Sequence, residues 1–337
     1  MKRMNKLTAI IAVLFASSAM GAGFEKSTLF SAENAALGNA TKGVVDGADA
    51  VLLNPAGLVN GPDREYTFNL SPTQGQFSGP VVPGTTAKEK GKKTVSPIFG
   101  ITSKYNIDDK MAWGYGFYSL AGTTVDYGRV DFSAGNPGLF GNIGNDPEIM
   151  SSLAILEFTL AGAYKIQDNW SVGLGWRATF VRADYSSFAV DGADFQAIEF
   201  KDLEDNDFGG FRLGTQYDGG NWGVGFVYRT KVEFAAEGKA TIAVENIGTG
   251  ADSAPTSQDV EIANVLPSAM HLDFHYDVDE SLRIFVGYSK LDYSQNEAFE
   301  ISGGALNGVN IPQNWKDSNI YRLAAEYKGF SRPLRMS

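Results

Sequence analysis

The sequence predicts an all-β fold, a transmembrane antiparallel β-barrel with an N-terminal plug. Three observations predict it. Apolar residues alternate with polar or small ones over runs of about ten residues. Tyr and Trp sit at the ends of those runs, beside very short turns. Short connections alternate with long ones, as they do where one side of a barrel carries tight turns and the other carries loops.

The chain opens with Lys2, Arg3 and Lys6, an apolar core from 7 to 19 and small residues after it, which reads as a signal segment over 1–21. That core is too short to span a bilayer, which needs ~20 apolar residues. Residues 22–61 are expected to form a plug, or hatch, around Asn54-Pro55-Ala56-Gly57. Locally that step is a turn: Pro55 fixes φ and lacks a donor, Gly57 widens the backbone's choices, and Asn54 can bond its own neighbours.

From 62 to 330 the strands follow. Leu156, Phe158, Leu160, Tyr164 and Ile166 alternate with Glu157, Thr159, Ala161 and Lys165; Trp170, Val172, Leu174 and Trp176 alternate with Ser171, Gly173, Gly175 and Arg177. Trp222, Val224, Phe226 and Tyr228, then Met270, Leu272, Phe274 and Tyr276, repeat the pattern. Both a soluble sandwich and a membrane barrel bury one face. The second face here carries Gly and charges of both signs, as a wet lumen does. Tyr105 and Trp113, Tyr164 and Trp170, and Tyr217 and Trp222 flank the short turns, suiting a membrane–water boundary. Long loops are expected at 71–94, 123–152, 190–207, 245–257 and 302–313. About ten strands are legible.

Composition narrows the function. A net charge of −11 argues against nucleic acid. The chain has no cysteine, which excludes a disulfide scaffold. His271, Asp273 and His275 share one strand face at a spacing that could hold a metal, but a polar lumen face gives the same pattern; no metal or cofactor is expected. Asp202, Glu204, Asp205 and Asp207 read as a solvated acidic loop. A lipid hydrolase would need a nucleophile beside one of the two histidines, and no serine is so marked. A general porin is the other alternative, and a plug argues against it.

In order along the chain, Ala22-Gly23-Phe24, Ala36-Leu37-Gly38-Asn39-Ala40, the Asn54-Pro55-Ala56-Gly57 step, Trp113-Gly114-Tyr115-Gly116, Leu160-Ala161-Gly162-Ala163-Tyr164 and Ile311-Pro312-Gln313-Asn314-Trp315 resemble the FadL-type family of outer-membrane transporters for long-chain fatty acids and other hydrophobic molecules. The resemblance implies a fourteen-stranded barrel closed by the hatch, with a ligand docking on a groove near the third long loop, moving to a pocket against the hatch and leaving sideways at a kink in the third strand. It implies fatty acids or similar molecules as substrates, outer-membrane lipid, lipopolysaccharide and the barrel-assembly machinery as partners, and no catalysis.

On that basis Leu139, Phe140, Ile143, Ile149 and Met150 are candidates for the docking groove, or equally for packing the loop onto the rim. Gly114 and Gly116 are candidates for the kink, or for lumen packing. Arg177, Arg212, Arg229, Arg283 and Arg322 fall on the polar phase and are candidates to grip a carboxylate, or to pair with Glu157, Asp273 and Glu326. After Lys328 the family pattern stops: 331–337 reads as an atypical tail with no strand after the turn at Tyr327. The expectation is a truncated or frameshifted transporter, since ten strands leave little room for a hatch. Such a wall would expel the hatch, stay open at an edge or join another chain.

Overall fold

A computed structural model describes residues 31–337, so the expected signal segment and residues 22–30 of the expected hatch lie outside the described residues. The hatch comprises helix α1 (Ala32–Ala36), helix α2 (Ala50–Leu53) and a 3-10 turn over Pro55–Val59. The strands follow: β1 (Arg64–Gly75), β2 (Ser78–Gly79), β3 (Glu89–Lys90), β4 (Thr94–Asn106), β5 (Met111–Arg129), β6 (Glu148–Gln167), β7 (Trp170–Asp191), β8 (Asp194–Asp218) and β9 (Trp222–Arg229). After them come β10 (Val232–Asn246), β11 (Thr256–Leu266), β12 (Ala269–Asp277), β13 (Leu282–Leu291), β14 (Ala298–Ser302), β15 (Val309–Pro312), β16 (Ser318–Tyr327) and β17 (Leu334–Met336).

Antiparallel ladders join β1-β4-β5-β6-β7-β8-β9-β12-β13-β16-β17, with β10, β11, β14 and β15 continuing the wall at the long-loop end. β9 with β10, β11 with β12, β13 with β14 and β15 with β16 each act as one traverse with a break. Counted so, the described residues contain ten long traverses and the short β17. Among the described residues no ladder joins β1 to β17. The hatch remains inside this wall rather than expelled. It touches both ends of the path: Ala48 N donates to Glu65 Oε2 on β1 at 2.7 Å, and Arg335 on β17 pairs with Glu33 at 3.0 Å.

The alternation runs in the expected phase. On β6, Glu157 and Thr159 are fully buried while Leu160 and Tyr164 are 44% and 46% exposed. Their apolar side chains therefore face outward, where lipid rather than water stabilises them.

Two expectations are corrected. The segment 190–207 is not a long loop: β7 and β8 continue as a hairpin closed at Gly192, whose φ is +66°. The acidic run lies on β8, where Leu203 is buried between outward acids. The tail after Lys328 also forms a strand, β17, paired to β16 through Ala325, Glu326 and Tyr327.

Candidate functional site

Small residues of the wall let the hatch lie on it. Asn54 turns the chain from α2 into the 3-10 segment, its Oδ1 accepting from Ala56 N at 3.2 Å while its Nδ2 donates to Lys42 O at 2.7 Å and Thr215 O at 3.1 Å. Asn54, Pro55, Ala56 and Gly57 are all buried. Thus the step ties the hatch to itself and to β8. Gly173 and Gly214 sit where any Cβ would overlap the backbone of Pro55–Ala56 and the side chain of Asn54. Gly114, a candidate for the kink or for lumen packing, stands against the hatch: a Cβ there would overlap Ser103 O and lie 2.8 Å from Val51 and 3.1 Å from Leu58. Gly116 packs against Thr102 and Tyr118.

Two buried ionic contacts hold the hatch from the wall side. Lys42 N donates to Asp273 Oδ2 at 3.0 Å, and its Nζ stands 3.6 Å from the same oxygen. Arg212 donates to Val51 O at 3.2 Å and to Glu157 Oε1 at 3.0 Å. Glu157 also accepts from Arg177 Nε at 2.7 Å and from Tyr118 Oη at 2.5 Å. A buried carboxylate with two guanidinium partners and further donors satisfies the desolvation demand that a lone buried charge would not.

The five candidate arginines thus separate. Arg177 is fully buried and spent on Glu157 and on Thr230 O. Arg283 pairs with Asp277, and Arg322 donates to Ser289 Oγ at 2.5 Å. Arg212, itself paired with Glu157, and Arg229 also line a small cavity of about 20 Å³ against the hatch, with Lys42, His271, Leu52 and Leu120. Arg229 also donates to Pro267 O at 3.0 Å. The volume suits about one water, so nothing larger fits there with the hatch docked. His271, Asp273 and His275 diverge to different neighbours: His271 to Ser289 at 2.6 Å, Asp273 to Lys42, and His275 toward Gly223. On the other side of the hatch, at the short-turn end, a polar cavity of about 300 Å³ opens among Asp46, Lys165, Asp218 and Arg283.

The wall beside that small cavity is interrupted. The β4–β5 ladder runs from Asn106↔Ala112 to Gly100↔Tyr118 and stops, although β4 stays paired to β1 as far as Thr94 and β5 to β6 as far as Arg129. Side-chain bonds close the two ends of the gap: Ser119 Oγ receives Phe99 N at 3.4 Å, and Thr94 Oγ1 donates to Thr124 O at 3.1 Å. Within it β5 bulges. Ser119 faces Leu156 and Ala121 faces Ile155, leaving Leu120 as the extra residue. Leu120 is 1% exposed and is the same residue that lines the cavity against the hatch.

Of the groove candidates, Leu139 is 45% exposed, whereas Phe140, Ile143 and Ile149 are buried with Phe132, Phe188 and Phe195 in a cap above the wall. Met150 is half-buried. Next to this cap a cleft of about 490 Å³ opens, lined among others by Phe195, Val244 and Pro255. Sequence reasoning missed Lys42, Leu120 and Asp273's tie to the hatch. No local signal marks Lys42, whose partner is 231 residues away.

The family profile described as "Outer membrane protein transport protein (OMPP1/FadL/TodX)" matches residues 12–332. A long-chain fatty acid transport protein of Escherichia coli (strain K12) is 28% identical over 193 residues, which is 54% of this chain and 39% of that protein. The match thus spans about two fifths of the curated relative's length. Among solved structures, the P. putida toluene transporter TodX superposes with a TM-score of 0.75 at 17% identity, covering 92% of this chain and 82% of that one. A Pseudomonas aeruginosa FadL homologue gives 0.67 at 14%, covering 93% and 80%. These structures share its fold.

Proposed function

Because the chain belongs to the OMPP1/FadL/TodX family of outer membrane transport proteins, we propose that it carries fatty acids or similar hydrophobic molecules into the outer membrane by a sideways route. A molecule meets the long-loop cap at Leu139 and the neighbouring cleft, descends to the cavity against the hatch, and leaves through the β4–β5 gap. Release of the hatch, held by Asn54, Lys42 and Arg212, enlarges the cavity from its closed volume. Lipopolysaccharide, membrane lipid and the barrel-assembly machinery are the partners this reading carries with it, and no catalysis is involved.

The observation that carries the proposal is Leu120. One buried apolar residue lines the cavity against the hatch and is also the bulge beside the interrupted ladder. A route through it keeps a hydrocarbon out of water, which otherwise costs ~0.8 kcal/mol per CH₂. The cations around Leu52 and Leu120 favour an amphiphile with a carboxylate over a pure hydrocarbon, since Arg229 and Lys42 can bond an anionic head while the tail lies on leucine.

Uptake of oleate and of methyl oleate into cells lacking their own transporter tests this. The chain should carry both above an empty-vector control. Arg229→Gln should lower oleate uptake about tenfold, the worth of one charge-assisted hydrogen bond, and leave methyl oleate nearly unchanged. Equal losses of the two would remove the carboxylate role; uptake no greater than the vector's would remove the transport reading.

A further inference from the structure

We propose that Pro97 keeps the β4–β5 gap open, and so is a positioning residue of the sideways exit; the inference rests on the route proposed above. In the ladder between β1 and β4, Pro72 stands opposite Pro97. Neither ring nitrogen carries a hydrogen, so this must be a non-hydrogen-bonded pair, in which each nitrogen faces away from the partner strand. The donorless nitrogen of Pro97 therefore points at β5. The same parity turns Phe99 N toward β5, where it bonds Ser119 Oγ. Carried upward from Gly100↔Tyr118, the β4–β5 register would set Pro97 opposite Ala121, in the middle of the gap. A proline is tolerated in a sheet where pairing ends, and here it stands on the one side of β4 where the ladder is missing.

Other discontinuities of the wall differ in kind. Where β8 passes from β9 to β10, Thr230 N donates to Phe211 O at 3.0 Å, Thr230 Oγ1 receives Phe211 N at 2.9 Å, and Asp205 Oδ2 receives Ala235 N at 2.7 Å. Where β11 gives way to β12, Ser268 bonds Asp292 at 2.6 Å and Gln295 at 3.0 Å. Polar side chains stitch those breaks. In the β4–β5 gap such side-chain bonds stand only at the two ends, Phe99 N to Ser119 Oγ and Thr94 Oγ1 to Thr124 O; between them Ile98, Leu120 and Ala121 are buried and apolar, so a hydrocarbon can pass there without displacing a hydrogen-bond network.

Pro97→Val supplies the missing donor and a residue at home in strands, and Ala121→Trp fills the gap directly. Two readouts are used on the full chain: uptake of oleate and methyl oleate in transporter-deficient cells, and amide hydrogen exchange of residues 120–123 in detergent-folded protein. Pro97→Val should slow that exchange and lower uptake of both probes about fivefold, the population shift that one ladder hydrogen bond of ordinary strength supplies. Heat-modifiable gel mobility should remain that of the parent. If Ala121→Trp abolishes uptake but Pro97→Val changes neither exchange nor uptake, the gap is the exit and the role of Pro97 is refuted. If both variants transport like the parent, the sideways route itself is refuted. A loss of uptake in Pro97→Val without slower exchange also overturns the inference, because the effect then does not pass through the ladder.

Discussion

Replacing Gly214 by alanine tests whether the hatch is held by its fit to the wall. A Cβ at this position would overlap Asn54 Oδ1 and lie 3.0 Å from Pro55 Cδ, so the Asn54 side chain has to withdraw from β8. Its two outgoing bonds, to Lys42 O at 2.7 Å and Thr215 O at 3.1 Å, have little slack to follow. Only the bond to Thr215 O crosses from hatch to wall, and losing it costs about 1 kcal/mol, or roughly fivefold in the ratio of docked to released hatch. Single-channel recording in planar bilayers reads this as a rise in brief conductance events. Gly162→Ala is the control, because nothing lies nearer to its Cβ than Ala112 O at 3.9 Å. The pair Asn54→Ala with Gly214→Ala sharpens the test. With the amide gone the overlap is gone, so the double variant should leak no more than Asn54→Ala alone. Fully additive effects, or a Gly214→Ala no leakier than the control, would refute the fit.

Glu157→Ala leaves Arg177 and Arg212 facing each other without their shared carboxylate, in surroundings where all three are buried. The barrel should lose about 3–5 kcal/mol of stability, measured by urea unfolding of bilayer-folded protein, and Glu157→Gln should lose less because it still accepts hydrogen bonds. An Ala variant within ~1 kcal/mol of the parent would mean water reaches the cluster. Acidity should act through the hatch. Burial pushes the Asp49 carboxyl above its ordinary range, against the opposing bond from Thr102 at 3.3 Å, and burial beside Glu65 does the same to Asp46. The docked hatch therefore holds these protons more tightly than a released one, so docking strengthens as pH falls through the raised values and weakens as pH rises. Leak conductance should be lower at pH 5 than at pH 8, with the difference reduced in Asp49→Asn; the opposite slope would overturn the sign.

The membrane-spanning half of each strand was legible because lipid imposes a strict code. Leu160 and Tyr164 out, Glu157 and Thr159 in, is a pattern that one sequence displays without any partner. The hatch was legible from the Asn54-Pro55-Ala56-Gly57 step and its place ahead of the first alternating strand. Beyond the lipid the code lapses. At 190–207 the outward residues can be acids, so a strand with Ile198, Phe200 and Leu203 buried in one cluster and Phe195 buried in the aromatic cap looks like a polar loop. Asp191 and Gly192 supply a real turn signal there, but the turn is the tip of a hairpin rather than the start of a coil. Contacts between hatch and wall were not legible at all. Lys42 with Asp273, and Asn54 with Thr215, join segments more than 150 residues apart through groups that look ordinary in either segment.

The two sides of the hatch differ in a way that bears on the proposed sideways route. Toward the short turns lies the polar cavity with Asp46, Lys165, Asp218 and Arg283. On the other side Leu52, Leu120 and Val227 meet Lys42, Arg212 and Arg229. An alkyl chain continuing straight past the hatch would exchange leucine for charged groups and water, losing ~0.8 kcal/mol for each CH₂ it exposes. Turning at Leu120 instead keeps it on apolar surface, past Ile98 and Ala121, to an outward face carrying Val95 and Phe117. Only the head group gains from the polar side, and it already has Lys42 and Arg229 where the tail would turn. On the proposed route the hatch would need to move only enough to admit the head and the first carbons; a full opening toward the short turns would let water and ions through without helping such a cargo.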